Sequence, residues 1–283
     1  MSEKIYFTEV VLLTKSYNLQ DFKDWLHWHL DIIGFDHAHI FDNESSVDIK
    51  TVCDSYGDKV SYELVKGWPN QYALYNRYIN NESKAWWVLP IDDDEFLYIG
   101  EKYNHNVMDM LLALDQKYKM NKLSIQWRNM FPFEYTKTRT KSLIENCNAW
   151  SNEACSAIFP LWRQDNRWIK TFTKNTGNWY WGIPHNGGHN PSHCATKVDS
   201  VMPDGRIVKN SADNIGSPIN SFNDVYIAHC QYKSDDEWQM KCTKRISAAN
   251  KSFNKNKPKV FSELYKHKDK FNKCEDLIKI WNG

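Results

Sequence analysis

One segment constrains this chain more than any other. Trp86 to Ile91 (WWVLPI) is an apolar run that passes directly into Asp92-Asp93-Asp94-Glu95. A short apolar run bounded by polar residues reads as a buried strand. A strand buried on both faces belongs to a parallel sheet covered by helices. In such sheets ligands bind in the crevice at the carboxyl ends of the strands, which is where these four carboxylates stand. They repel one another, so something positive belongs beside them. Oxygen-rich sites of this kind suit Mg²⁺ or Mn²⁺, often shared with ligand phosphates. A metal bridging a diphosphate neutralises the leaving charge as a glycosidic or phosphoryl bond breaks. The alternative for the same residues is a solvated acidic turn.

The elements before this segment agree with a parallel sheet. Ile5 to Leu13 reads as a strand. Asn18 reads as a helix N-cap, with Asp21 at the third helical position and apolar residues from Phe22 to Ile33 at helical spacing, closed by Gly34. His37 to Phe41 is a second strand ending in turn-forming residues, Val60 to Val65 a third, and residues 70–81 a helix. Alternation of this kind predicts βαβ units in an α/β fold. Beyond residue 100 the pattern loosens: a helix over 107–119, a strand over 122–127, then a Gly-, Pro-, Asn- and Ser-rich stretch to 223. Val225 to His229 is a strand, and Ser234 with Glu237 forms a capping box for a helix reaching about Asn250. Amphipathic helices around 260–265 and 274–281 end the chain. The expected organisation is a single domain over 1–283: a nucleotide-binding half to about 100, an acceptor half to about 250, and a helical tail over 251–283.

Charge removes one class of partner. Lys+Arg at 36 against Asp+Glu at 35 leaves a net charge of +1 and no electrostatic footprint for nucleic acid. The 13 Trp, 15 Tyr and 13 Phe suit stacking on sugar rings and equally suit filling a core. Seven scattered cysteines without a C-x-x-C pair read as reduced thiols. No signal-peptide stretch and no run of 18 apolar residues occurs, so a cytoplasmic protein without a transmembrane segment is expected.

The acidic segment resembles the Asp-x-Asp-Glu-Phe signature of glycosyltransferase family 92 and of family-2-like transferases with the GT-A fold. Four other stretches match in the same order: Phe22 to Asn43 (FKDWLHWHLDIIGFDHAHIFDN), Gln71 to Asn76 (QYALYN), Ser124 to Phe131 (SIQWRNMF) and His229 to Lys241 (HCQYKSDDEWQMK). Together they span most of the chain. Two departures stand out: the family's Lys-Asn-Glu after the first strand is here Lys15-Ser16-Tyr17-Asn18, and its His-Tyr is His229-Cys230.

The resemblance implies a GT-A domain, a mixed and mostly parallel sheet between helices, that moves a sugar from a UDP- or GDP-sugar donor to a glycan acceptor, with inversion. It implies Asp94 as ligand of Mn²⁺ or Mg²⁺, Asp92 on the ribose or the metal, and His229 completing the metal shell. Donor contacts are expected from Lys15, Asp42, Asn43, Gln71, Asn76, Arg77, Asp92, Asp93, His185 and Lys233. Glu95 is expected to brace the turn. Asp42 and Asn43 have an Asx-turn as alternative; Arg77 matches phosphate geometry or is simply solvated. An inverting reaction needs a base for the acceptor hydroxyl, for which Glu134 comes first, then Asp165 and Asp213. The His185-x3-His189-x3-His193-Cys194 stretch carries zinc-type ligands, but its Pro and Gly residues forbid a helix; a substrate-proximal loop, with Lys170 as upstream partner, is the preferred reading. Three other functions remain: a non-catalytic carbohydrate-binding protein, a zinc-stabilised interaction domain, or another metal-dependent nucleotide-using transferase. The last lacks the Gly-rich phosphate loop it would need.

Overall fold

In the computed structural model, the described residues are 3–67, 69–151, 168–176, 199–208, 224–243 and 260–283. Their strands are β1 (Tyr6–Thr14), β2 (His37–Asp42), β3 (Val60–Leu64), β4 (Ala85–Pro90), β5 (Glu95–Ile99), β6 (Lys122–Phe131), β7 (Ala149–Trp150), β8 (Ile169–Lys174), β9 (Ser200–Val201), β10 (Ile207–Val208), β11 (Val225–His229) and β12 (Asn272–Lys273). The α-helices are α1 (Leu19–His27), α2 (Ile49–Ser55), α3 (Gln71–Asn81), α4 (Val107–Tyr118), α5 (Leu143–Asn146), α6 (Asp235–Thr243), α7 (Val260–Leu264) and α8 (Asp276–Trp281).

Strand order is β10-β9-β6-β8-β4-β1-β2-β3, with β11 between β5 and β6. The β4-β1-β2-β3 part is wholly parallel, whereas β8 runs antiparallel to both β4 and β6. This is the expected α/β class, with a mixed central sheet and flanking helices. The chain steps outward from β1 to β2 to β3, then returns to place β4 on the other side of β1. The carboxyl ends of β1 and β4 therefore form the topological switch point, where open sheets of this kind leave a crevice.

The first helix starts as its cap dictates: Asn18 Oδ1 accepts from the N–H groups of Gln20 (3.0 Å) and Asp21 (3.2 Å). It buries Phe22, Trp25 and Leu26 against the sheet. Each such side chain contributes about 2 to 3 kcal/mol by leaving water. Residues Trp28–Ile32 then widen into a π-helix. His29 Nδ1 lies 2.8 Å from the Trp25 carbonyl and takes up an acceptor of the regular ladder, and Ile33 N–H reaches back five residues to Trp28. Gly34 closes the segment at φ +77°, where a Cβ would lie 2.8 Å from Asn106 Nδ2.

Among the elements not anticipated are α2, capped by Asp48 Oδ1 on Thr51 N–H (3.1 Å), the short α5 and β12, and β5, which begins inside the acidic cluster itself. The main hydrophobic cluster draws on residues from Val10 to Leu277. Among the described residues no helix is long and apolar enough to cross a membrane. Cys53, Cys147, Cys230 and Cys274 are buried free thiols.

Candidate functional site

The acidic segment is a tight turn at the switch point. Ile91 N–H donates to Val11 O (3.1 Å) and keeps the chain on β1 for one residue beyond β4. Glu95 N–H (3.1 Å) and the Trp25 indole N–H (3.1 Å) both donate to the Asp92 carbonyl, while Asp92 N–H donates to Glu95 Oε2 (3.0 Å). Glu95 thus braces the turn. From there β5 runs back along β11 with Glu95 opposite His229, and Cys230 N–H donates to the Asp94 carbonyl (2.7 Å). A histidine 135 positions later in the chain is carried to the turn by this strand pairing.

Each carboxylate meets a different partner. Lys170 Nζ is 3.0 Å from Asp92 Oδ2 and 3.1 Å from Glu95 Oε2. Glu95 is wholly buried, and burial pushes its carboxyl up to about 7 against the pull of Lys170. Burial also opposes the Lys170 charge, but Asp92 and Glu95 outweigh it and hold the ammonium above its usual range. Asp93 Oδ2 accepts from the Thr14 hydroxyl (2.6 Å) at the end of β1; burial pushes its carboxyl up, with Lys233 opposing. Asp94 lies between Lys241 Nζ (3.2 Å) and His229 Nε2 (3.5 Å). Burial works against its charge, yet Lys241, His229 and Lys233 hold its carboxyl well below the ordinary value.

A second layer anchors these cations. Lys233 Nζ is 3.0 Å from Asp21 Oδ2 and 5.6 Å from the centre of the Tyr17 ring. Burial disfavours its charge, but Tyr17, Asp21, Asp93 and Asp94 keep the ammonium well above its usual range. Arg139 bridges Asp21 (2.8 Å) and Glu237 (2.9 Å), tying α1 to α6. His229 packs on Trp127 with ring centroids 4.2 Å apart.

The other expected residues are spread along the carboxyl edge. Lys15 Nζ donates to the carbonyls of Asn43 and Glu44, both at 2.9 Å. Asp42 accepts from Ser45 N–H three residues on (2.8 Å) and also from the Tyr62 hydroxyl (2.8 Å). Asn43 Nδ2 donates to Val65 O (2.9 Å) and Gly67 O (3.0 Å). Gln71 and Asn76 lie on α3, where Gln71 Nε2 donates to the Tyr75 hydroxyl (3.0 Å), which itself accepts from Leu13 N–H (3.2 Å). Arg77 is directed to the β3 side, paired with Glu63 and 3.2 Å from Glu82. Glu134 follows β6 with its side chain 73% exposed, paired with Lys268. Asp165, Asp213, His185, His189, His193 and Cys194 lie outside the described residues.

Lys241 and Arg139 were given no role from sequence, Asp21 only a place in the first turn of a helix, and Lys170 only as partner of His185. A signal existed for Lys170: it interrupts an otherwise strand-like IKTFTK segment, and a lysine inside a buried strand requires an anionic partner.

Among the described residues no group of three or more His, Cys, Asp or Glu gathers to hold a metal. A two-residue donor set does exist. Asn129 Oδ1 lies 3.2 Å from both Gln231 Nε2 and His229 Nδ1, so it accepts from the amide and from an Nδ1–H tautomer. His229 Nε2 faces Asp94 Oδ1 at 3.5 Å, a separation that a shared proton or a metal cation can bridge. Mg²⁺ and Mn²⁺ are commonly held by one or two protein groups plus water and phosphate oxygens, so Asp94 and His229 fit such an ion. Asp92, turned to Lys170, does not join this pair.

No family model and no curated protein matches the chain. Among solved structures it is similar to S. aureus TarS 1–349, at TM-score 0.37 and 14% identity, over 64% of this chain and 52% of that one. It is similar to the same protein in complex with UDP-GlcNAc at TM-score 0.35 and 13% identity, over 60% and 45%. A third likeness is to 4-diphosphocytidyl-2C-methyl-D-erythritol synthase from Anaerococcus prevotii, at TM-score 0.31 and 9% identity, over 60% and 70%. The matched region is thus about half the length of the first of these structures.

Proposed function

We propose that this chain is a glycosyltransferase of the GT-A type, resembling family 92 and family-2-like enzymes, that moves a sugar from a nucleoside-diphosphate donor to a glycan hydroxyl with inversion. The observation that supports this reading best is the pairing of carboxylates with lysines at the switch point between β1 and β4. Carboxylates alone suit a cation and lysines alone suit a phosphate. Both together suit a metal–diphosphate pair.

In this reading Asp94 and His229 hold Mn²⁺ or Mg²⁺, and Asp92 and Asp93 face the donor ribose. When bound, the ion supplies charge neutralisation on the departing diphosphate. Lys233 lies close enough to Asp93 and Asp94 to influence both, and it offers an ammonium to the phosphates. Trp25 fixes the Asp92 backbone, so the turn is preorganised. Lys15 holds the loop over 43–44 at the end of β2, where the nucleobase would lie. Glu134, exposed beside Lys268, is the first choice for the base that takes the acceptor proton.

The test is thermal shift of wild type and Asp94→Asn with UDP-GlcNAc, other UDP-sugars and GDP-sugars, each with and without Mn²⁺. A metal-dependent rise for one nucleotide class in wild type, lost in D94N, supports the reading. No shift with any nucleotide sugar in either condition sinks it.

A further inference from the structure

The three lysines at the acidic turn differ in freedom. Lys170 is 1% exposed, gripped by Asp92 and Glu95 and lying over the Trp127 ring at 5.8 Å. Lys233 has a side chain 11% exposed and is held by Asp21 beneath Tyr17. Both are built-in parts of the wall. Lys241 is different: it sits in the last turn of α6, its side chain is 38% exposed, and the contact on which it converges is Asp94, the carboxylate 3.5 Å from His229 Nε2. A lysine on a flexible four-carbon stem with water at its side can leave a partner at small cost.

Asp94 cannot serve an ammonium 3.2 Å away and a divalent cation at full strength together, because the two positive groups repel at that range. We propose that Lys241 is the resident counter-ion of this site: it neutralises Asp94 while no donor is present, yields the carboxylate to the divalent cation, and turns to the donor diphosphate. This rests on the metal reading given above and adds a consequence to it. Metal alone must displace Lys241 without offering it a new partner, whereas metal arriving with a diphosphate supplies one. Cation and nucleotide therefore strengthen each other's binding, and by linkage the coupling is reciprocal.

The measurement is Mn²⁺ binding followed by electron paramagnetic resonance, with and without UDP or GDP, for wild type, Lys241→Gln and Lys174→Gln. Affinity for Mn²⁺ alone is expected to rise on the order of tenfold in K241Q, the equivalent of one unit of charge coupling, while the gain from added nucleotide shrinks by a similar factor. K174Q removes a charge of the same sign that is paired with Asp115 rather than with the acidic turn and should keep the wild-type coupling. Should K174Q fail to fold, Lys266→Gln, exposed beside Glu263, takes its place as the charge control. If wild type binds Mn²⁺ but K241Q binds it no tighter, or if K241Q and the control change alike, the counter-ion role is overturned and the metal reading stands. If neither wild type nor K241Q binds Mn²⁺ under any condition, both fall together.

Discussion

Replacing Lys170 by Met tests the electrostatics of the turn more directly than any carboxylate substitution. Methionine fills the volume of the buried stem but leaves Asp92 and Glu95 without their shared ammonium, which lies 3.0 Å and 3.1 Å from them. Asp92 is 29% exposed and regains water; Glu95 is wholly buried and cannot. The sign follows from its titration. Glu95 sits at about 7 in the fold against an ordinary 4.5, so between those values the folded chain keeps a proton that the unfolded chain has lost, and stability falls as pH rises. In wild type that fall levels off above about 7. Without Lys170 the folded value moves higher, and the fall continues at ~1.4 kcal/mol per pH unit. At pH 6 both proteins hold Glu95 protonated, and K170M should lie within ~1 kcal/mol of wild type. By pH 8.5 the gap should widen by ~2 kcal/mol. Urea denaturation in chelator at pH 6, 7 and 8.5 reads this out, and K170M with Glu95→Gln should flatten it. A gap independent of pH, or one the double variant retains, would mean that Lys170 does not act on the Glu95 charge.

Three further outcomes are expected. Arg139→Met strips Asp21 and Glu237 of their buried bridge and should cost ~3 kcal/mol, lowering the melting temperature by ~5 °C by calorimetry. Burial holds the His29 ring down at about 3, so the unfolded chain takes up its proton first as pH falls and stability present above 6.5 is lost toward 3; between pH 7 and 5 wild type should lose ~2 kcal/mol more than His29→Gln in urea titrations, and parallel pH profiles would count against a buried neutral His29. Glu134→Gln should keep donor binding and lower the transfer rate by about 100-fold or more, measured by product formation at saturating donor; an unchanged rate moves the base to another carboxylate.

Elements whose signals are local were legible in the sequence. The Asn18 cap, the Gly34 stop, the apolar strands β1, β2 and β4 and the Ser234–Glu237 capping pair lie where spacing and side-chain chemistry put them, because each depends on residues a few positions apart. Composition of the acidic turn and its place at a strand's carboxyl end were legible for the same reason. What answers those carboxylates was not. Lys170, Lys233 and Lys241 reach the turn from β8, from the loop after β11 and from α6, between 75 and 150 residues away, and His229 does so only because β11 inserts between β5 and β6. The extra strand β5 escaped because four carboxylates read as a loop; burial of Glu95 against Lys170 and the β11 ladder override that propensity. Which charge neutralises which is a matter of distance in space, so the cluster's three lysines, one wholly buried, one nearly so and one partly exposed, come to light only in the folded chain.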